Sequence, residues 1–220
     1  PCPYITFNHL KYIAMNPFLD NRKPIEIKIS GNLPHWHQIG KIQFITFRLA
    51  DSLPQSKIKE LSSFIAEFNA RYPKPWDLST AKKFRTTVSR IEERLLDNGY
   101  GSCLFKKSEL REVITSAIKH YSPSHYTIVA YVIMPNHVHL LVHFHSDINP
   151  ERIMQSIKSY SSHQINLKLQ KTGRVWMSEY FDRIVRSEND LQKYIEYIGN
   201  NPGHLPPEIF ELYINPEYRR

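Results

Sequence analysis

The chemistry-bearing part of this chain is the run His137-Val-His-Leu-Leu-Val-His-Phe-His145, which holds four of the 11 histidines. On a β-strand the period of two sends Val138, Leu140, Val142 and Phe144 to one face. His137, His139, Leu141, His143 and His145 take the other. Residues two apart on a strand are separated by roughly 6.5–7 Å at Cα, a span over which two imidazoles can converge on one ion. His137 and His139 can therefore chelate a metal as a pair. His143 and His145 could form a second pair, but the strand is too long for all four to share one ion. Two blander readings compete: the polar, solvent-facing side of an edge strand, and a structural zinc site, which would need further nitrogen, sulfur or carboxylate ligands from elsewhere.

A second group of chemical residues sits near the end. Ser187-Glu-Asn-Asp190 has the form of a capping box and predicts a helix start. At about 100° per residue, Leu191, Tyr194, Ile195 and Ile198 form the buried stripe. Tyr197 and Asn201 are i and i+4 neighbours at its edge, so a phenol and an amide can face one site. Pro202 ends the helix. Thirteen tyrosines in the chain make a helical tyrosine unremarkable by itself, and Tyr194 reads as core. Tyr197 becomes a candidate nucleophile only in company with the histidines.

These residues must be held by a scaffold. The run KIQFITFRL, 41–49, alternates and predicts a strand with one face buried. Residues 55–71 and 80–97 have helical spacing, with Pro73 and Pro75 breaking between them, so a helical hairpin is inserted after that strand. A helix over 108–120, capped by Ser108, follows. Residues 126–134 are apolar at nearly every position, as in a strand covered on both faces. Pro135 and Asn136 form a tight turn, and 137–145 returns antiparallel. A helix over 150–169, an extended piece at 180–185 and the tyrosine helix complete the order, and a weaker alternating stretch lies at 25–29. Strand, helix, strand, strand, helix, strand, helix implies an α+β, ferredoxin-like core: an antiparallel sheet with helices mainly on one face. The expected organisation is an N-terminal arm over 1–35, a domain over 36–203 with its insertion at about 53–100, and a C-terminal tail over 204–220.

A formal charge of +8 and a pI near 9.4 favour a polyanionic partner, nucleic acid being the commonest. Lys158, Lys168, Lys171, Arg174, Arg183 and Arg186 surround the site in sequence and could hold phosphates, while Trp176, Tyr180 and Phe181 could stack on bases. Two cysteines, Cys2 and Cys103, supply neither a disulfide framework nor a four-thiolate zinc site. No apolar run of about 18 residues is present, so a cytoplasmic protein that does not enter membranes is expected.

The segment Met134-Pro-Asn-His-Val-His-Leu-Leu-Val142, with Trp176-Met-Ser-Glu-Tyr-Phe-Asp182 and Tyr197-Ile-Gly-Asn-Asn-Pro202, resembles the HUH single-tyrosine transposases of the IS200-like family. The resemblance is strongest to the REP-associated tyrosine subgroup. Leu33-Pro-His-Trp36 through Phe44-Ile-Thr-Phe-Arg-Leu-Ala-Asp-Ser52 is similar to that subgroup's opening strand. The resemblance implies that His137 and His139 bind Mg²⁺ or Mn²⁺, with Asn201 as third ligand where relatives often carry Gln. It also implies that Tyr197 is the nucleophile. Cleavage and rejoining of single-stranded or hairpin DNA through a 5′-phosphotyrosine, by a monomer or homodimer, would follow. The absence of a phosphate-loop motif fits chemistry that needs no nucleotide. A hairpin-binding protein without cleavage, or a zinc-dependent hydrolase, are the alternatives.

Overall fold

The computed structural model describes residues 16–30, 33–96, 98–145 and 148–219. Residues 1–15 of the expected N-terminal arm lie outside them. Strands β1 (Glu26–Ser30) and β2 (Leu33–His37) form a two-stranded antiparallel ribbon. The main sheet has five antiparallel strands: β3 (Ile42–Arg48), β4 (Tyr126–Ile133), β5 (His137–Phe144), β6 (Phe181–Ile184) and β7 (Glu211–Ile214). Their spatial order is β6-β3-β5-β4-β7, so the histidine strand is central. This is the expected α+β fold, with the four ferredoxin-like strands in place and β7 added on the outer side of β4.

Each helix follows from its apolar spacing. In α3 (Ser108–His120), Leu110, Val113, Ile114 and Ala117 are buried, and in α4 (Pro150–Leu169) Ile153, Met154, Ile157 and Ile165 are. Both helices close over Ile45, Phe47, Ile133, Val138, Leu140 and Val142 on one face of the sheet. The final helix, α5 (Glu188–Asn200), lays Leu191, Ile195 and Ile198 against Phe44, Val132 and Leu141 on the other face. The Ser187 hydroxyl accepts from Asp190 N at 3.2 Å, as the capping box requires.

The inserted hairpin is α1 (Gln55–Arg71) and α2 (Leu78–Leu96). Its own small core is aromatic: Phe68 and Phe84 are buried against Phe64, Tyr72 and Trp76. Two polar ties fasten α2 to the sheet: Arg48 pairs with Glu92, both buried, and the Arg85 guanidinium donates to the Asp182 carbonyl.

Three expectations change. β3 is buried along its whole length, not on one face only, because α5 and α2 cover the side on which Thr46 and Arg48 stand. Ser108 is not a side-chain cap. Extended Lys107 occupies the N-cap, since a short 3-10 turn at Leu104–Lys106 runs directly into the helix and leaves no room for an Ser108 cap. The stretch after 204 was expected to be a tail, yet β7 pairs with β4 from Ala130↔Ile214 to Ile133↔Glu211. Among the described residues no helix is long and apolar enough to cross a membrane.

Candidate active site

Register on the central strand builds the site. Thr46 lies opposite His139 and Arg48 opposite His137, on the sheet face that α5 covers. Both histidines are 1% exposed. Their Nε2 atoms stand 3.1 Å apart with the rings edge to face. Burial pushes the His137 pKa down from 6.5 to about 3, and burial followed by the proximity of His137 holds His139 well below its ordinary value. Both rings are therefore neutral and able to act as ligands.

Ring orientation is set at Nδ1. The His137 Nδ1–H donates to Asn136 Oδ1 at 2.7 Å, because an amide oxygen can only accept, and this leaves the Nε2 lone pair facing inward. His139 Nδ1 meets Thr46 Oγ1 at 2.8 Å, and a hydroxyl that accepts there turns the second Nε2 lone pair the same way. Asn136 is itself clamped, its Nδ2 donating to the carbonyls of Tyr100, at 3.1 Å, and Leu96, at 3.4 Å. The loop carrying Tyr100 can approach because Gly101 has φ +88°, and a Cβ there would stand 2.4 Å from Asp51 O.

From α5, the Tyr197 hydroxyl reaches His139 Nε2 at 3.4 Å, a long contact. Phe44 organises the aromatic side, packing on His139, Tyr194 and Tyr197 with centroids 5.3, 4.6 and 5.8 Å away. Asn201, one turn after Tyr197, has a buried Oδ1 with no hydrogen-bond partner.

The donor set fits a divalent cation. The two Nε2 atoms stand 3.1 Å apart, close enough for one ion to bind both. Octahedral ligands at about 2.1 Å and 90° stand about 3.0 Å apart, whereas a tetrahedral pair stands about 3.4 Å apart. The buried, unpartnered amide oxygen of Asn201, the C-cap of α5, is a hard donor of the kind such cations take. Among the described residues no third His, Cys, Asp or Glu completes a metal-holding group, so the three-ligand set of a catalytic zinc site is not assembled.

His143 and His145 do not converge. His143 Nε2 donates to the Gly40 carbonyl and His145 Nδ1 to that of Ser124, each at 3.2 Å. The basic residues divide between the two faces. Arg183 and Arg186 line a groove of about 360 Å³ that also contains Tyr194 and Tyr197. Lys158 and Arg174 line a separate cleft beside α4, and Lys168 and Lys171 are exposed towards and beyond the C-terminal end of α4. Lys158 is already engaged, its Nζ donating to the Met177 and Ser178 carbonyls, and burial lowers its pKa from 10.5 to about 8. A stacking role for Trp176 does not survive: it is 3% exposed, packs on Phe47 and Phe105, and donates its ring N–H to Ser161. Tyr180 and Phe181 are half-buried, the first against His35 and the second against the α1–α2 core.

Sequence reasoning missed Thr46, Asn136 and Phe44. The signal for Thr46 was a polar residue inside an apolar strand; Asn136 was read only as a turn former.

Comparison with known proteins was made on this geometry. No curated protein matches the chain. Among solved structures, one of a REP-associated tyrosine transposase bound to a REP hairpin matches with 15% identity and a TM-score of 0.43, covering 76% of this chain and 70% of that one. Residues 101–201 match the family model described as "Transposase IS200 like". That span begins just beyond the helical hairpin and ends on Asn201, so both histidines and Tyr197 lie inside it.

Proposed function

We propose that this protein is a metal-dependent single-strand DNA endonuclease and strand transferase of the REP-associated tyrosine type, acting on hairpin DNA with Tyr197 as nucleophile. The observation that carries this is the pair of inward Nε2 atoms, 3.1 Å apart in neutral, buried histidines, with the Tyr197 hydroxyl 3.4 Å from one of them. His137, His139 and Asn201 would hold Mg²⁺ or Mn²⁺. When bound, such an ion polarises a non-bridging oxygen of the scissile phosphate.

The remaining chemistry belongs to the chain's own residues. The Tyr197 oxygen forms a bond to phosphorus as the P–O3′ bond breaks; the phenol proton is lost and the departing 3′ oxygen gains one. A 5′-phosphotyrosine and a 3′-OH result, and a 3′-OH attacking the same phosphorus reverses the step. The phosphodiester is exchanged, not hydrolysed, so no nucleotide cofactor is required. Phe44 fixes the ring of Tyr197 edge-on, and Thr46 and Asn136 hold the imidazoles. Arg183 and Arg186 sit where a phosphate backbone entering the tyrosine groove would pass.

The test is incubation of 5′- and 3′-labelled hairpin DNA with Mg²⁺, followed by denaturing electrophoresis. Protein-linked label from the wild type, lost in Tyr197→Phe while hairpin affinity stays within about twofold, is the expected outcome. Loss in Tyr194→Phe instead would move the nucleophile one turn back. Tight hairpin binding with no adduct from the wild type would leave a binding protein that has lost cleavage.

A further inference from the structure

The helical hairpin α1–α2 lies outside the segment that matches the transposase family, yet α2 forms one wall of the groove beside Tyr197. We infer that this groove, between α2, β6 and α5, is the track for the single-stranded DNA flank leading to the scissile phosphate, and that Lys82, Arg85 and Lys193 join Arg183 and Arg186 in holding its phosphates. This assignment rests on the function proposed above.

The groove gathers five cations against two carboxylates, Glu93 and Asp190. Among the described residues, Lys82, Arg183, Arg186 and Lys193 take part in no ion pair. Like charges in excess of their counter-charge repel, and an anion relieves the repulsion. Arg85 makes the arrangement a built one. The residue is 8% exposed, its guanidinium fixed over the Trp36 ring at 4.7 Å and donating to the Asp182 carbonyl. Burial is the main cause that lowers its pKa; the Asp182 carboxylate opposes that, and the charges of Arg183 and Arg186 add to the lowering, which places all three guanidiniums in one field. Of the five N–H donors that a guanidinium carries, that bond uses one.

The groove also leads to the right atom. Lys193 precedes Tyr197 by four residues, about 6 Å along the helix axis, and Tyr194 lines the same groove. The cleft beside α4 offers much less: Lys158 is engaged by two carbonyls, and Arg174 shares the cleft with Glu151.

The test uses the full chain and two fluorescein-labelled DNA hairpins of identical stem, one blunt and one with a single-stranded flank of about ten nucleotides. Lys82, Arg186 and Lys193 are exposed, so Lys82→Ala/Arg186→Ala/Lys193→Ala leaves the fold intact. Lys168→Ala/Lys171→Ala/Arg174→Ala removes the same net charge elsewhere. The first triple variant should weaken the flanked hairpin about tenfold or more and reduce its salt slope by roughly 0.7 per cation. The blunt hairpin should change by less than about twofold in the same variant, and the control triple should spare the difference between the two probes. Equal losses on both probes, equal losses from both triples, or no loss would overturn the assignment. Covalent adduct formation by the wild type reports separately. Adduct with unchanged flank binding in the first triple sinks the groove alone; selective loss of flank binding without any wild-type adduct sinks the cleavage function alone.

Discussion

At the scale of single residues, the site depends on which way two imidazoles point. Thr46 touches neither the proposed metal nor DNA, but its hydroxyl is the partner of His139 Nδ1. Partners of this kind typically contribute 10–100-fold in metal affinity. Thr46→Val, which keeps the branched shape, should therefore weaken Mn²⁺ binding by about that factor in titration calorimetry, while Thr46→Ser restores most of it. His137→Ala/His139→Ala should abolish binding and cleavage outright. His143→Ala/His145→Ala should leave both near wild type, because those rings are occupied with backbone carbonyls; comparable loss from both pairs would mean a larger metal site. The histidine pair was legible from a spacing of two on an apolar strand. Their partners were not, since Thr46 is 93 residues from His139 and only strand register brings them together. Trp176 misled for the converse reason: it follows the basic stretch that includes Lys171 and Arg174, and its burial comes from a bridge to Leu49 that no local pattern announces.

Among elements, those with complete local signals were read closely. α4 begins on Pro150 after the Asn149 cap, and α5 begins after Ser187, each where sequence placed it. β7 carried four residues of ordinary composition and gains its strand conformation only from the exposed edge of β4. The inserted hairpin was recognisable as two helices, but its docking was not, because the ties run through single polar pairs: Arg48 with Glu92, and Arg85 with the Asp182 carbonyl. Its small aromatic core makes it sensitive. Phe84 is fully buried among Phe68 and Trp76, so Phe84→Ala should cost about 3–5 kcal/mol in urea unfolding. A loss well under about 1 kcal/mol, the level of an ordinary surface change, would show that the hairpin is not packed as described.

For the whole molecule, two buried neutral histidines make stability depend on acid. The folded pKa of His137 is depressed from 6.5 to about 3, and that of His139 is depressed as well. As pH falls below 6.5 the unfolded chain takes up these protons while the folded chain refuses them. The stabilisation that His137 contributes above pH 6.5 is thus lost progressively down to about 3, at up to about 1.4 kcal/mol per pH unit, and His139 acts in the same direction. Urea midpoints of the metal-free protein should fall steeply over that window, and His137→Gln/His139→Gln should flatten the fall. An equal slope in wild type and variant would place the acid sensitivity elsewhere. The +8 charge, read first as a general affinity for polyanions, resolves into distinct local fields on the two faces of the sheet.

The clamp on Asn136 has a thermodynamic side. One amide group grips the carbonyl of Leu96, the last residue of α2, and the carbonyl of Tyr100, and with its oxygen it aims His137. The helix that walls the tyrosine groove is therefore joined to a proposed metal ligand, His137, through a single side chain. If strand binding shifts α2, the affinity for the ion must change, and linkage requires the ion to change the affinity for the strand by the same factor. The two titrations form a closed cycle: Mn²⁺ affinity measured with and without a flanked hairpin should differ by the same ratio as hairpin affinity measured with and without Mn²⁺. In Asn136→Ala that ratio should move towards one. Were that coupling positive, a strand in the groove and the ion would each favour the binding of the other.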